Sequence, residues 1–180
     1  CNRYYNIMRP LSYRSDALRG LLLRNQIATL DELKQALGNP VDVTVFRKLK
    51  PLDYLTSYSH RGRYYTLREI ARFDDLGLWS QADVWFSRFG TLLATAERLV
   101  NRSPRGFFAD ELARALHVEV QDALYQLAQQ RRVTREMVSG LYLYTATARD
   151  IQRGQLLTRR TVEAVPTVPD ASVLAVSEDE

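Results

Sequence analysis

The fold is decided by two short stretches, Ala28-Thr-Leu-Asp-Glu-Leu-Lys-Gln-Ala-Leu37 and Phe107-Phe-Ala-Asp-Glu-Leu-Ala-Arg-Ala-Leu116. They share the pattern Asp-Glu-Leu-x-x-Ala-Leu and lie about 79 residues apart. Leu and Ala at helical spacing, after two acidic residues that favour a helix N-terminus, predict a short amphipathic helix in each stretch. An apolar helical run precedes each one, residues 17–23 in the first case and 92–100 in the second.

The similarity continues on the C-terminal side of both stretches. Each is followed by another helical run, then by a β-like segment, a glycine and a second β-like segment. These hairpins cover residues 54–67 around Gly62 and residues 133–145 around Gly140. Because three features recur in the same order at one offset, the sequence predicts two copies of a single module.

Capping residues place the first two helices of copy one. Ser15 or Asp16 is expected to cap a helix that reaches about Asn25. Thr29 and Glu32 form a Thr-x-x-Glu capping box for a short helix that ends at Leu37.

The third helix and the hairpin of copy one follow from turn signals. The helix is expected to begin near Val41, after Gly38-Asn39-Pro40, and Pro51 should end its regular part. Residues 54–59 alternate like a strand, residues 60–62 form the turn, and residues 64–67 return.

Copy two repeats the layout with different turns. Its first helix is predicted over residues 91–102 and its third helix over residues 118–131. Two strands are expected to meet at Ser139-Gly140, and residues 147–160 are expected to form a closing helix.

The succession of helix, helix, turn, helix and two-stranded hairpin resembles the winged helix-turn-helix superfamily, twice over. The residues that carry the resemblance are the two Asp-Glu-Leu-x-x-Ala-Leu helices and the hairpins at Gly62 and Gly140. The resemblance implies a mainly α fold with small β-hairpins, of α+β class, arranged as a tandem winged helix-turn-helix. It says less about function, since winged helices also serve as protein-docking modules.

The predicted division of the chain has four parts. Residues 1–75 form the first domain and residues 91–160 form the second domain with its closing helix. Residues 76–90 form an aromatic-rich connector that packs between the copies, because it holds both tryptophans of the chain. Residues 161–180 form an acidic, proline-containing tail.

Charge is distributed unevenly along the chain. Residues 1–160 contain all 25 Lys and Arg residues and carry a net charge of about +9, whereas every charged residue after position 160 is acidic. A basic body with an acidic tail suggests a polyanionic partner. The single cysteine, Cys1, excludes an intrachain disulfide and a cysteine-based zinc site, which favours an intracellular location. No stretch has the length and apolarity of a membrane span.

In the superfamily that the chain resembles, the third helix enters the major groove and the hairpin, or wing, contacts the DNA backbone. In copy one we expect the DNA-binding side chains to be Thr44, Arg47, Lys48, Lys50, His60, Arg61 and Arg63. Arginine matches the O6/N7 edge of guanine, and threonine suits a phosphate or a thymine methyl group. A charged surface with no ligand is the alternative.

Copy two carries a weaker DNA-binding signal. Its expected DNA-binding side chains are Gln121, Tyr125, Gln126, Arg131, Arg132 and Arg135. Gln121 and Gln126 suit adenine edges, but Glu119 and Asp122 repel a phosphate backbone. A face that binds protein or a second copy of the chain therefore remains open.

Signals for an enzyme are absent from the sequence. The two histidines lie in separate copies, and there is no phosphate-binding glycine loop, nucleophile elbow or His/Cys cluster. We therefore expect no catalytic residue, no metal site and no cofactor.

The sequence predicts a cytoplasmic, nucleoid-associated bacterial protein that binds double-stranded DNA. Sequence-specific binding would suit a transcriptional regulator or the DNA-targeting protein of a mobile element. The alternative is a tandem winged-helix scaffold of a chromosome-condensing or other multiprotein complex, which the chain resembles in layout only. A homodimer or a protein partner would bind through the second domain or the tail, where residues 173–176 suit a strand added to a partner's sheet.

Overall fold

The computed structural model describes residues 14–163, so the tail from residue 164, with the strand expected at residues 173–176, lies outside the described residues. The fold is α+β, with small antiparallel sheets. The elements of the first half are α1 (Ser15–Asn25), β1 (Ala28–Thr29), α2 (Leu30–Ala36), α3 (Asp42–Leu49), β2 (Tyr54–Thr56) and β3 (Tyr64–Leu67). A connecting hairpin follows, made of β4 (Leu78–Gln81) and β5 (Val84–Ser87).

The second half repeats the element order of the first and adds a helix. Its elements are α4 (Leu92–Arg102), β6 (Phe107–Phe108), α5 (Ala109–Leu116), α6 (Gln121–Gln129), β7 (Thr134–Val138), β8 (Leu141–Thr145) and the added helix α7 (Arg149–Glu163). The sheets also correspond, because the strand order is β1-β3-β2 in the first half and β6-β8-β7 in the second. The two halves therefore share helix order, strand order and strand direction.

Several local predictions are confirmed by hydrogen bonds. The Thr29 hydroxyl accepts from the Glu32 amide, and the Glu32 carboxylate accepts from the Thr29 amide at 2.7 Å, which completes the capping box. Helix α4 begins one residue after its predicted start, and the structure adds that the Thr91 hydroxyl caps it by accepting from the Ala94 amide at 3.2 Å. Strands β7 and β8 meet at Ser139-Gly140, where both residues have positive φ.

Helix α1 is not capped by Ser15 or Asp16, and that prediction is wrong. The N-cap position is Arg14, which makes no side-chain capping bond. Ser15 already lies in the helix, while the Asp16 carboxylate pairs with the Arg14 guanidinium at 3.1 Å. An acidic residue in the first turn still suits the positive end of the helix dipole.

The strand predicted over residues 54–59 ends at Thr56. The Ser57 amide still donates to the Tyr64 carbonyl of β3 at 2.9 Å, and the chain then joins the connecting hairpin, where the Tyr58 amide donates to the Trp85 carbonyl at 3.0 Å. The Ser59 hydroxyl accepts from the Trp85 amide at 2.8 Å. Residues 58 and 59 therefore contact the connecting hairpin rather than extend β2.

Helix α3 ends as predicted, and α6 is shorter than predicted. Helix α3 stops at Leu49 and passes into a 3₁₀ turn over Lys50–Leu52 that contains Pro51. Helix α6 covers Gln121–Gln129 rather than residues 118–131. Its C-terminal limit is set by Arg131, which adopts a left-handed conformation with φ of 55°.

The connecting hairpin packs on both halves through alternate side chains. Phe86 and Val84 are buried in a cluster with Leu55 of the first half, and Trp79 packs on that cluster. Leu78 belongs to the core of the second half, and Trp85 packs against that core. Because neighbouring side chains of a strand point to opposite faces, a hairpin with apolar residues at successive positions contacts both halves. The connector packs between the two halves, as its aromatic composition predicts, and the structure adds that it is a two-stranded hairpin.

Candidate nucleic-acid interface

Helix α3 exposes basic side chains on the face opposite its core residues. Val45 and Leu49 are fully buried against α1 and α2, which fixes the rotation of the helix. Arg47 is exposed, and Thr44 and Lys48 are half-buried. Lys50 is exposed but lies in the 3₁₀ turn, so its predicted place on the helix itself is wrong.

The first wing is the loop from Ser57 to Arg63, between β2 and β3. His60, Arg61 and Gly62 have successive positive φ values of 51°, 57° and 70°. Only glycine adopts this region without a steric cost, so the loop holds two side-chain-bearing residues in a strained conformation. All three predicted wing residues, His60, Arg61 and Arg63, are exposed.

The His60 ring is held in place at the tip of this wing. Its Nδ1 atom lies 3.0 Å from the Ser59 hydroxyl oxygen, and the ring meets the Tyr64 ring edge-on with centroids 5.6 Å apart. Ser59 is in turn bonded to the connecting hairpin through the Trp85 amide. The wing therefore has a fixed base that links it to the rest of the chain.

Aromatic contacts pack α3 against β3, the strand that follows the first wing. The Phe46 ring meets the Tyr65 ring edge-on at 5.8 Å, and the Tyr54 ring lies 6.1 Å from the same tyrosine. Phe46 neighbours Arg47 in sequence, and Tyr65 follows Arg63 by two residues. The base of the wing and α3 are thus fixed to each other by packed rings.

The positive charge of the basic side chains on this surface is not balanced by ion pairs. Among the described residues, no ion pair involves Arg47, Lys48, Lys50, Arg61 or Arg63. Asp42, the one acidic residue of α3, is paired with the Lys34 ammonium at 2.8 Å. That hydrogen bond and its charge attraction raise the pKa of Lys34. The one carboxylate of α3 is therefore paired with a lysine of α2.

The corresponding helix of the second half, α6, exposes amide and aromatic groups. Ala123, Leu124 and Leu127 are buried, while Gln121, Tyr125 and Gln126 are exposed as predicted. Glu119 and Asp122 are exposed beside them. The Gln129 side chain donates to the Tyr125 hydroxyl at 2.8 Å, which holds that exposed ring in place.

The three arginines predicted to follow α6 have different surroundings. Arg131 is exposed, and Arg135 lies on β7 with its guanidinium 4.8 Å from the centre of the Tyr142 ring. Arg132 instead forms a short ion pair with Glu97 of α4, and this hydrogen bond raises the pKa of its guanidinium. A side chain engaged with its own protein is not free for phosphate, so Arg132 does not suit the predicted role.

Sequence reasoning missed apolar side chains on both surfaces. On the second wing, which is the hairpin of β7 and β8, Met137, Leu141 and Tyr142 are 59%, 54% and 47% exposed. In the first half, Val43 of α3 is 75% exposed and lies one helical turn before Arg47. Strand alternation places Met137 outward with Arg135, and helical spacing places Val43 outward with Arg47, so both signals were present in the sequence.

Three further observations bear on function. No described helix combines the length and the apolar character needed to cross a bilayer. Within residues 14–163, no three or more His, Asp or Glu side chains gather in a geometry suited to a metal ion. No family model matches the chain, and no curated protein or solved structure matches it significantly.

Proposed function

We propose that this chain is a double-stranded DNA-binding protein made of two winged helix-turn-helix units, and that the first half reads the DNA. The repeated order of helix, strand, helix, helix and hairpin, with the same sheet order in both halves, supports this fold assignment. A sequence-specific role as a transcriptional regulator, or as the targeting protein of a mobile element at the bacterial nucleoid, fits the proposal. The proposal includes no chemical step.

The observation that carries the proposal is the uncompensated charge of the first half. Arg47 on α3 and Arg61 and Arg63 on the wing are exposed and form no ion pair with any described residue. Exposed cations on a helix and a neighbouring loop suit two adjacent phosphate backbones with a groove between them. Arg47 and Val43 share the outward face of α3, where arginine suits guanine and valine suits a thymine methyl group.

Selection of bound sequences from a random duplex pool tests the proposal directly. We expect enrichment of one motif, and binding that weakens steeply with salt because bound phosphates release counterions. The variant Arg47→Ala/Lys48→Ala should lose about 100-fold in affinity, the sum of a base contact and a phosphate contact. Binding equal to that of the parent chain would contradict the assignment of α3.

A matched control removes the same charge elsewhere in the same half. Arg24 and Arg72 are exposed, form no ion pair within residues 14–163, and lie outside α3 and the wing. Arg24→Ala/Arg72→Ala should therefore bind DNA within a few-fold of the parent. An equal loss in both double variants would show that net charge alone, and not the α3 surface, drives binding.

The apolar second wing favours a second candidate function, a protein-docking scaffold. Met137 and Tyr142 are exposed on the same face of the hairpin, a composition that suits a protein contact better than a phosphate backbone. Size-exclusion chromatography with light scattering, combined with a pull-down, separates the two functions. A stoichiometric protein partner without DNA retention would favour the scaffold, and an intact α3-dependent DNA complex would favour the DNA reader.

A further inference from the structure

The second half contains a cavity that neither function uses. It has a volume of about 350 Å³ and lies between the C-terminal part of α4, the turn that follows it and the segment before β4. Its apolar walls are formed by Leu76, Phe89, Leu99 and Phe107. This volume is within the range of pockets that hold a ligand or a short peptide segment.

The cavity is surrounded by arginines. Arg98, Arg102 and Arg105 line it, and Asp75 is the one acidic residue among its lining residues. None of the three arginines belongs to an ion pair of the described residues, and the Arg98 guanidinium lies 5.8 Å from the centre of the Phe89 ring. An occupant that matches this site has an apolar body and more than one negative charge.

Helix α7 contacts the turn that forms one wall of this cavity. The Arg159 guanidinium donates to the Arg105 carbonyl at 3.1 Å and to the Gly106 carbonyl at 3.1 Å, in the turn that forms one wall. Glu163, the last residue of α7, follows one helical turn later, about 6 Å along the axis. The described residues therefore end about one helical turn beyond the residue that contacts this wall.

The sequence that follows α7 has the composition that the cavity requires. Val173-Leu-Ala-Val176 is apolar, and Glu178-Asp-Glu180 is acidic. Nine residues separate Glu163 from Val173 and span up to about 30 Å when extended, which is long enough to cross the turn.

We propose that residues 173–180 of the chain dock intramolecularly on this cavity, with Val173–Val176 against its apolar walls and Glu178–Glu180 facing Arg98, Arg102 and Arg105. Docking removes apolar surface from water and pairs acidic groups with arginines. The contact neutralises a basic surface of the second half and leaves the first half as the basic face. The proposal does not depend on DNA binding, and either can fail without the other.

A spin label on the full chain tests the contact. Cys1→Ser removes the native thiol, and Ser177→Cys gives a single site for a nitroxide. In the spectrum of the isotope-labelled protein, we expect amide signals of residues 98–107 to lose most of their intensity. Signals of the wing at residues 60–63 should keep theirs. Uniform loss, no loss, or loss centred on the wing would overturn the proposal.

Charge reversal in the labelled chain identifies the cause. Glu178→Lys/Asp179→Lys/Glu180→Lys should restore the signals of residues 98–107, as should 0.5 M salt, because exposed ion pairs are screened. The matched control is Glu119→Lys/Asp122→Lys on exposed positions near α6, which should leave the signal loss unchanged. Full signal loss in the triple variant would contradict the ionic part of the proposal.

Two further measurements exclude other occupants. In the first, isotope-labelled chain without a spin label is mixed with spin-labelled chain of natural isotope abundance, and we expect no signal loss. Signal loss in this mixture would assign the cavity to a second copy of the chain. Addition of octanoate, an apolar carboxylate, should restore the signals only at concentrations high enough to compete with a tethered segment. Restoration at low micromolar octanoate would assign the cavity to a free carboxylate instead.

Discussion

The two halves of the molecule share an element order but expose different chemistry at equivalent places. The first wing carries His60, Arg61 and Arg63 at its tip, whereas the second wing exposes Met137 and Tyr142. Their third helices differ in the same direction, since α3 exposes basic groups and α6 exposes amide and aromatic groups. The comparison teaches that a shared backbone arrangement fixes where a surface lies, while the outward side chains decide what it binds.

The same contrast appears at one equivalent residue of the repeat. Glu32 belongs to an exposed capping box with Thr29. Glu111 accepts from the Phe108 amide at 3.0 Å and pairs with Arg159 of α7 at 2.7 Å. Burial acts to raise the pKa of Glu111, but hydrogen bonds from Arg159 and the Phe108 amide outweigh it and leave the pKa below its ordinary value. The glutamate of the second half has gained a tertiary role because α7 packs only there.

The largest expected difference between the halves is the effect of removing this carboxylate. Glu111→Ala leaves the Arg159 guanidinium, whose side chain is 4% exposed, without its partner. We expect a loss of about 3 kcal/mol in the free energy of unfolding, against about 1 kcal/mol for Glu32→Ala. Urea unfolding followed by circular dichroism measures both values. Equal losses would show that the ion pair adds nothing to the cap.

The second-largest expected difference between the halves is the effect of wing substitutions on DNA affinity. The phosphate contacts proposed for Arg61 and Arg63 predict that Arg61→Ala/Arg63→Ala lowers affinity about 10-fold or more and reduces the slope of log affinity against log salt by about 1.8. Met137→Ser/Tyr142→Ser on the second wing should leave both quantities unchanged. Fluorescence anisotropy of a labelled duplex over a salt series provides the measurement. A larger effect from the second wing would reverse the assignment of the two halves.

The junction between the halves offers a smaller effect. The Tyr58 hydroxyl of the first half donates to the Leu116 carbonyl at 2.9 Å, and the Trp85 ring stacks on the His117 ring with centroids 4.0 Å apart. Tyr58→Phe removes only the hydroxyl and should cost about 1 kcal/mol in the free energy of unfolding. Tyr142→Phe on the exposed wing is the control and should cost almost nothing. Calorimetry of both variants tests whether the bond couples the halves.

The smallest effect concerns acid stability. Because the folded pKa of Glu111 is lowered, its contribution to stability is complete above the ordinary glutamate range and is lost as pH falls through the lowered value. Glu111→Gln should therefore lose less stability than the parent chain between neutral and acidic pH. Unfolding free energies at several pH values give the two slopes. Parallel slopes would show that another carboxylate controls acid stability.

Sequence patterns predicted most of the local structure. The capping box at Thr29, the start of α4 near residue 91 and the turn at Ser139-Gly140 were all predicted, because each depends on residues within four positions of one another. Exposure of Arg47 and Tyr125 followed from helical spacing around buried leucines and valines. The early end of β2 was not predictable, because Tyr58 and Ser59 find their partner on a strand 26 residues away.

The sequence by itself determined that two similar modules exist, where most of their helices lie, and which of them carries the basic third helix. Those properties depend on local hydrogen bonds and on the period of apolar residues along one chain. Only the tertiary structure decided that Arg132 pairs with Glu97, that Glu111 holds Arg159, and that the connecting hairpin contacts both halves. Each of these depends on elements distant in sequence, whose approach is set by the packing of the whole chain.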